Sequence, residues 1–272
     1  MTARTNFSLT RGPPDGGKAR LSSTRFAVLE HVVATGSTNA DLVARADDAD
    51  DGTVLVTDHQ TAGRGRLGRT WDAPPGTNLL VSVLLRPDWP PENHPLVTPA
   101  LAVAAVDALA GIGVLTAVKW PNDLVVESGP AVGKLAGILA EYTAGPPPAV
   151  VVGIGLNLAW PTAGDEVPPG ATSLQACDHT VDRWDLLAVL LAGFDAQLGD
   201  LAVAGGPERL REAHLDRSAT IGRRVRAETL AGLVEGAAVD ISADGSLLIR
   251  PDDPASNPVP LAAGDVIPLQ PA

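Results

Sequence analysis

The chain has 272 residues, 45% of them hydrophobic, enough for one large domain or a domain with a small companion. Its 20 basic and 32 acidic residues leave a net charge of −12 and a pI near 4.7, which argues against a broad basic surface for nucleic acid or an anionic membrane. One cysteine, Cys177, allows no internal disulfide, the five histidines are scattered without metal-ligand spacing, and no long apolar run or signal-type leader is present. These features point to a soluble cytoplasmic protein with no metal cage, no membrane and no nucleic-acid partner, in which any anion site is local.

Residues 1–24 show no hydrophobic period and contain the breakers GPPDGG, so they are expected to form a disordered tail, too small for a helix-turn-helix. Structure begins near Phe26. FAVLEHVVAT and TVLVTD read as strands around a short helix over NADLVARA. TNLLVSVLLRP (77–87) is a strand whose near-continuous apolar run predicts burial on both faces. In PLVTPALAVAAVDALAGIG, apolar residues recur at helical spacing, with Pro95 at the start and Gly111 and Gly113 at the stop.

Three strand candidates follow, around AVKWPNDLVVE, GKLAGILAEYTA and AVVVGIGLNLAW, then helices over WDLLAVLLAGFDAQLGDLAVAGG and PERLREAHL. This order predicts an α+β fold with a mixed, largely antiparallel sheet and flanking helices over 25–217. From 218 to 272 the strands are short, and the turn ADGS (243–246) separates two of them. That texture predicts a small C-terminal β-barrel.

The segment TAGRGRLGRTW (61–71) places three arginines and three glycines in one loop of an acidic chain. Gly63, Gly65 and Gly68 let backbone N–H groups approach a ligand, and the forks of Arg64, Arg66 and Arg69 match carboxylate or phosphate oxygens. Two such cations about 7 Å apart repel by about 2 kcal/mol at an effective dielectric near 20. The loop is therefore expected to stay open when empty and to fold around a polyanion. The spacing is not that of a P-loop.

Only three of the 20 basic residues are lysines, and two of these, Lys119 and Lys134, sit beside motifs. In KWPNDL, Pro121 is expected to end pairing and turn Asn122 and Asp123 out at a strand end. In GKLAGILAE, Gly133, Ala136 and Gly137 leave space for a flat ligand between apolar walls at Leu135 and Ile138. In GIGLN, Gly153 and Gly155 permit close approach and Asn157 offers an amide to a nucleobase edge. Each glycine can equally mark a bulge.

Taken together, TGSTN (35–39), HQTAGRGRLGRTW (59–71), KWPNDL (119–124), GKLAGILAE (133–141) and GIGLN (153–157) resemble the biotin protein ligases, in family order and at similar spacing. The C-terminal stretch resembles that family's SH3-like domain. The resemblance implies a class II synthetase-like catalytic domain of the monofunctional type, without a DNA-binding domain. It implies activation of biotin by MgATP to biotinyl-5′-AMP, followed by transfer to a lysine of a biotin carboxyl carrier protein domain of acyl-CoA carboxylases.

On that resemblance, Ser37, Thr38, Asn39, Gln60, Gly63 and Gly137 would surround biotin, with Arg64, Gly65 and Arg66 closing over its carboxylate. Lys134 would bridge carboxylate and phosphate, Arg69 would face the polyphosphate, Trp71 would pack on adenine and Asn157 would read its edge. Lys119 and Asp123 would line the acceptor side, making Arg66, Lys134, Lys119 and Asp123 the catalytic set. Two alternatives stay open: a lipoate-type ligase, although the arginine-pair, glycine-run and His-Asp signature of lipoate ligases is missing, and a non-catalytic biotin or nucleotide sensor.

Overall fold

The protein is described by a computed structural model over residues 21–145, 148–162, 165, 170–229, 232–253 and 256–269. Residues 1–20 of the expected tail lie outside these. The last four do not behave as a tail: Leu21 is 2% exposed within the main core, and the Thr24 hydroxyl donates to its carbonyl. Phe26 stacks on Phe194 with ring centroids 5.7 Å apart.

Seven strands form the first sheet: β1 (Leu29–Val32), β2 (Val54–Thr57), β3 (Asn78–Leu85), β4 (Ala117–Lys119), β5 (Asp123–Val126), β6 (Gly133–Thr143) and β7 (Ala149–Asn157). Their order is β1-β2-β3-β7-β6-β5-β4, with β1 and β2 parallel and the remaining neighbours antiparallel. Every residue of β3 is buried, as its apolar run predicts for a strand covered on both faces.

Helix α1 (Thr38–Ala44) follows Ser37, whose hydroxyl accepts from the Ala40 N–H as the N-cap. Helices α2 (Val97–Ala110) and α3 (Arg183–Leu201) cover one face of the sheet. Most of α2 is buried, as expected of a helix apolar all round. Side chains alternate across the strands, so Val81, Val83, Val152 and Ile154 enter the core under α2 and α3. Leu80, Ser82, Gly153 and Gly155 take the opposite parity and, with Val81 and Ile154 backing them, line a cleft. On that side Leu55, Leu84 and Val151 pack against Leu42 of α1.

The single strand expected around KWPNDL is instead a hairpin. Pro121 breaks pairing only briefly, and Asp123 opens β5 directly across from Lys119. After helix α4 (Gly206–Asp216), residues 217–219 run beside β4, with the Val118 N–H donating to Arg217 O and the Ala219 N–H to Val118 O.

A second, fully antiparallel sheet follows, made of β8 (Arg224–Thr229), β9 (Gly232–Ile241), β10 (Leu247–Pro251), β11 (Val259–Leu261) and β12 (Val266–Pro268), ordered β11-β10-β9-β8-β12. This is the small SH3-like unit. Its core includes a residue of the first domain: Trp120 packs with Val225, Ala238, Leu247 and Ile249, and its indole N–H donates to Gly245 O at 3.0 Å. No helix of the described residues is long and apolar enough to cross a membrane.

Candidate active site

A cleft of about 310 Å³ opens between the cleft face of β3, β6 and β7, the arginine loop and the C-terminal sheet. It gathers Ser37, Thr38, Asn39 and Gln60 at one end. Arg64, Gly65, Arg66, Arg69 and Trp71 line it from the loop, and Lys119, Asp123, Lys134 and Gly137 from β4, β5 and β6. Gly63 and Asn157 do not line it.

The floor at the Ser37 end is a buried polar chain. Gln60 Oε1 accepts from the Thr38 N–H at 2.9 Å, and the hydroxyls of Thr38 and Ser82 lie 2.7 Å apart. Ser82 Oγ donates to Asn39 Oδ1 at 2.6 Å, and Asn39 Nδ2 donates to Leu139 O and to Glu141 Oε2, each at 3.0 Å. A Cβ on Gly153 would stand 2.2 Å from Asn39 Oδ1 and 2.7 Å from Ser82 Oγ, so glycine here makes room for this network rather than for a ligand.

The other glycines follow the same rule. A Cβ on Gly155 would fall 2.5 Å from the Trp71 indole, and one on Gly137 would fall 3.1 Å from it. The flat space expected beside these strands is thus occupied by Trp71. Leu135 and Ala136 do not line the cleft; from this strand Leu139 lines it, with Ile138, 1% exposed in the core, behind. Gly63 sits against the Trp71 backbone, accepting its N–H at 2.9 Å, where a Cβ would meet Trp71 O at 2.2 Å.

The expectation for Asn157 is corrected. Its side chain is 4% exposed and spent internally, with Oδ1 accepting from Asn78 Nδ2 at 2.8 Å and Nδ2 donating to Thr172 O at 2.8 Å. Held this way and buried off the cleft lining, the amide is not presented to a base edge there.

The arginine loop is ordered by contacts of its own. Gly65 N–H donates to Arg69 O at 2.7 Å, Arg64 pairs with Thr70 in an isolated bridge, and a short 3₁₀ turn spans Arg66–Gly68 with Leu67 in the left-handed region at φ 55°. Acceptors around the loop offset the repulsion among its cations. Each guanidinium has its own acceptors: Arg64 on Glu141 at 3.0 Å, Arg66 on Asn122 Oδ1 at 3.1 Å and Gly264 O at 3.3 Å, and Arg69 on Asp265. Burial lowers the pKa of Arg66, opposed by the charges of Asp265 and Asp123 and reinforced by Arg69. An arginine in such a place remains protonated at neutral pH.

Lys134 lines the cleft beside Asp123 and Trp71. Its Nζ lies 2.6 Å from Asp123 Oδ1 and 5.5 Å from the centroid of Trp71, so carboxylate and π-face together hold the ammonium. Sequence reasoning missed Ser82, Asn122 as a partner of Arg66, Glu141 and Asp265. Period-2 counting from Leu80 could have found Ser82, but nothing local in the sequence links Asp265 to a loop about 200 residues away.

The residues 31–157 match the biotin/lipoate A/B protein ligase family, and residues 220–267 match the biotin protein ligase C-terminal domain. The chain belongs to the biotin protein ligase family. It is 40% identical over 251 residues to the biotin–[acetyl-CoA-carboxylase] ligase of Mycobacterium tuberculosis, covering 89% of each chain. It is 31% identical to the bifunctional ligase/repressor BirA of Bacillus subtilis, covering 92% of this chain and 79% of that one. Among solved structures, the Aquifex aeolicus biotin protein ligase in complex with biotin and ATP superposes with a TM-score of 0.75 at 25% identity, over 90% of this chain and all of that one.

Proposed function

We propose that this ligase activates biotin with ATP and passes it to a lysine of a biotin carboxyl carrier domain of acyl-CoA carboxylases. In the first step a biotin carboxylate oxygen attacks the α-phosphorus of ATP and pyrophosphate leaves. In the second the lysine amine attacks the acyl carbon, loses a proton and expels AMP. A carboxylate is a poor acylating agent, and adenylation supplies the leaving group. Both nucleophiles come from the substrates, so the protein's task is positioning and charge stabilisation.

The observation that carries the reading is the placement of Lys134. It lines the same cleft as the buried polar floor and Arg66, with Asp123 at 2.6 Å. The floor offers fixed hydrogen-bond groups suited to a urea-like head. Lys134 and Arg66 supply positive charge where carboxylate and phosphate oxygens would meet. Swinging from Asp123 to those oxygens would free that carboxylate to hold the incoming amine, with Lys119 directly across the hairpin.

Arg69 is the most exposed of the three arginines and faces outward for a polyphosphate, and the indole of Trp71 offers a flat surface near Lys134. Mg²⁺ enters this reading only as the counter-ion of ATP. Among the described residues no group of three His, Cys, Asp or Glu side chains is placed to hold a metal, and no step is assigned to one. The buried free thiol of Cys177 fits a reducing cytoplasm.

The test is pyrophosphate release on incubation with biotin, ATP and Mg²⁺, followed by the mass gain of one biotinyl group on a carrier-domain lysine. Release with lipoate and not with biotin would instead identify a lipoate-type ligase. Binding of biotin without release would identify a sensor.

A further inference from the structure

Glu141 closes the GKLAGILAE motif, half-buried on β6, and the reaction just described gives it no task. One of its oxygens, Oε2, accepts two hydrogen bonds of 3.0 Å, one from Asn39 Nδ2 in the pocket floor and one from Arg64 Nη2 in the arginine loop. The geometry points to Glu141 as a positioning residue that couples closure of the arginine loop to the state of the biotin-head pocket. This inference rests on the biotin reading above.

Donor and acceptor counting gives the chain of hydrogen bonds a direction. The Asn39 amide oxygen can only accept, so the Ser82 hydroxyl must donate to it at 2.6 Å, which leaves the single proton of the Thr38 hydroxyl to be shared between Ser82 Oγ at 2.7 Å and Gln60 Oε1 at 3.1 Å. Asn39 passes its own donors to Leu139 O and Glu141. Arg64, whose guanidinium can only donate, bonds the same oxygen from the loop. A chain in which both neighbours donate can end only on an acceptor, and an ionised carboxylate makes both of these bonds charge-assisted. A ligand head that rearranges Thr38, Ser82 or Asn39 therefore changes what Glu141 offers Arg64, and a displaced Arg64 changes what holds Asn39.

The experiment measures biotin affinity and trypsin cleavage after Arg64, Arg66 and Arg69, with and without biotin, in the full chain and in Glu141→Ala, Glu141→Gln, Arg64→Ala and the Glu141→Ala/Arg64→Ala pair. In the unmodified protein, biotin is expected to slow loop cleavage. In Glu141→Ala the biotin Kd should rise about tenfold and that protection should vanish. Glu141→Gln, whose amide oxygen still accepts from both partners but carries no charge, should fall between.

Because Glu141 acts through Arg64, the double variant should be no weaker than the worse single one. Additive losses, or a Glu141→Gln variant that matches the unmodified protein in both affinity and protection, would overturn the coupling even where Glu141→Ala fails to fold. An unmodified protein that binds no biotin overturns both this inference and the reading beneath it.

Discussion

The floor at residues 37–39 and the loop at 63–71 meet across one cleft, yet they are built from opposite materials. Ser37, Thr38, Asn39 and Ser82 are each less than 5% exposed; Thr38, Ser82 and Asn39 are joined by neutral hydrogen bonds, and a carboxylate enters only where Asn39 meets Glu141. The loop is held by ion pairs, with side-chain exposures of 43% for Arg64 and 65% for Arg69. Buried neutral networks lose much when a single member is removed and respond little to salt, whereas exposed ion pairs contribute little and are screened. The contrast suits a site that must keep a fixed shape for one substrate and release its hold to admit charged groups.

The loop should matter most to the reaction and least to the fold. Arg66→Ala is expected to slow pyrophosphate release by roughly 10²-fold, in the range for loss of one preorganised charge donor, and to hasten escape of the acyl-adenylate. Burst and single-turnover measurements would read both, and an unchanged adenylation rate removes Arg66 from the mechanism.

Ser82→Ala should do the reverse. It leaves Asn39 Oδ1 buried without its donor, at a cost of about 1–3 kcal/mol in stability, and biotin affinity should fall with little dependence on ionic strength. Calorimetric titration at low and high salt checks this, and a variant as stable as the unmodified protein would mean that the floor is not the rigid half. The smallest effect is expected for Asp265→Ala, which removes the partner of Arg69. An exposed pair of this kind contributes at most about 1 kcal/mol, and the shift in Tm should disappear near 1 M salt. A larger loss that persists in salt would erase the distinction between the two regions.

Much of this was legible in the residue order. The near-continuous apolar run gave β3, AVVVGIGLNLAW gave β7, the apolar periodicity gave α2, and the ADGS turn marked the second sheet. What could not be read was the use of empty space. A glycine in a strand announces that something approaches, but not what: beside Gly155 it is Trp71, and beside Gly153 it is Asn39 and Ser82. Asn157 shares its parity with Gly153 and Gly155, and the sequence gives no sign that Asn78, its cross-strand partner, has already taken its oxygen. The partners of the arginines were hidden for a related reason. Glu141, Asn122 and Asp265 come from three distant segments, and electrostatics read along a chain sees only near neighbours.

The indole of Trp120 has its ring in one domain and its backbone in the other. A chain cut after residue 217 would therefore lose more than an appendage: it would strip the cover from a large apolar ring one residue from Lys119 and remove Gly264 and Asp265 from Arg66 and Arg69. The two units are better regarded as a single piece of machinery with a seam, and attempts to trim, transplant or split the enzyme should leave that seam intact.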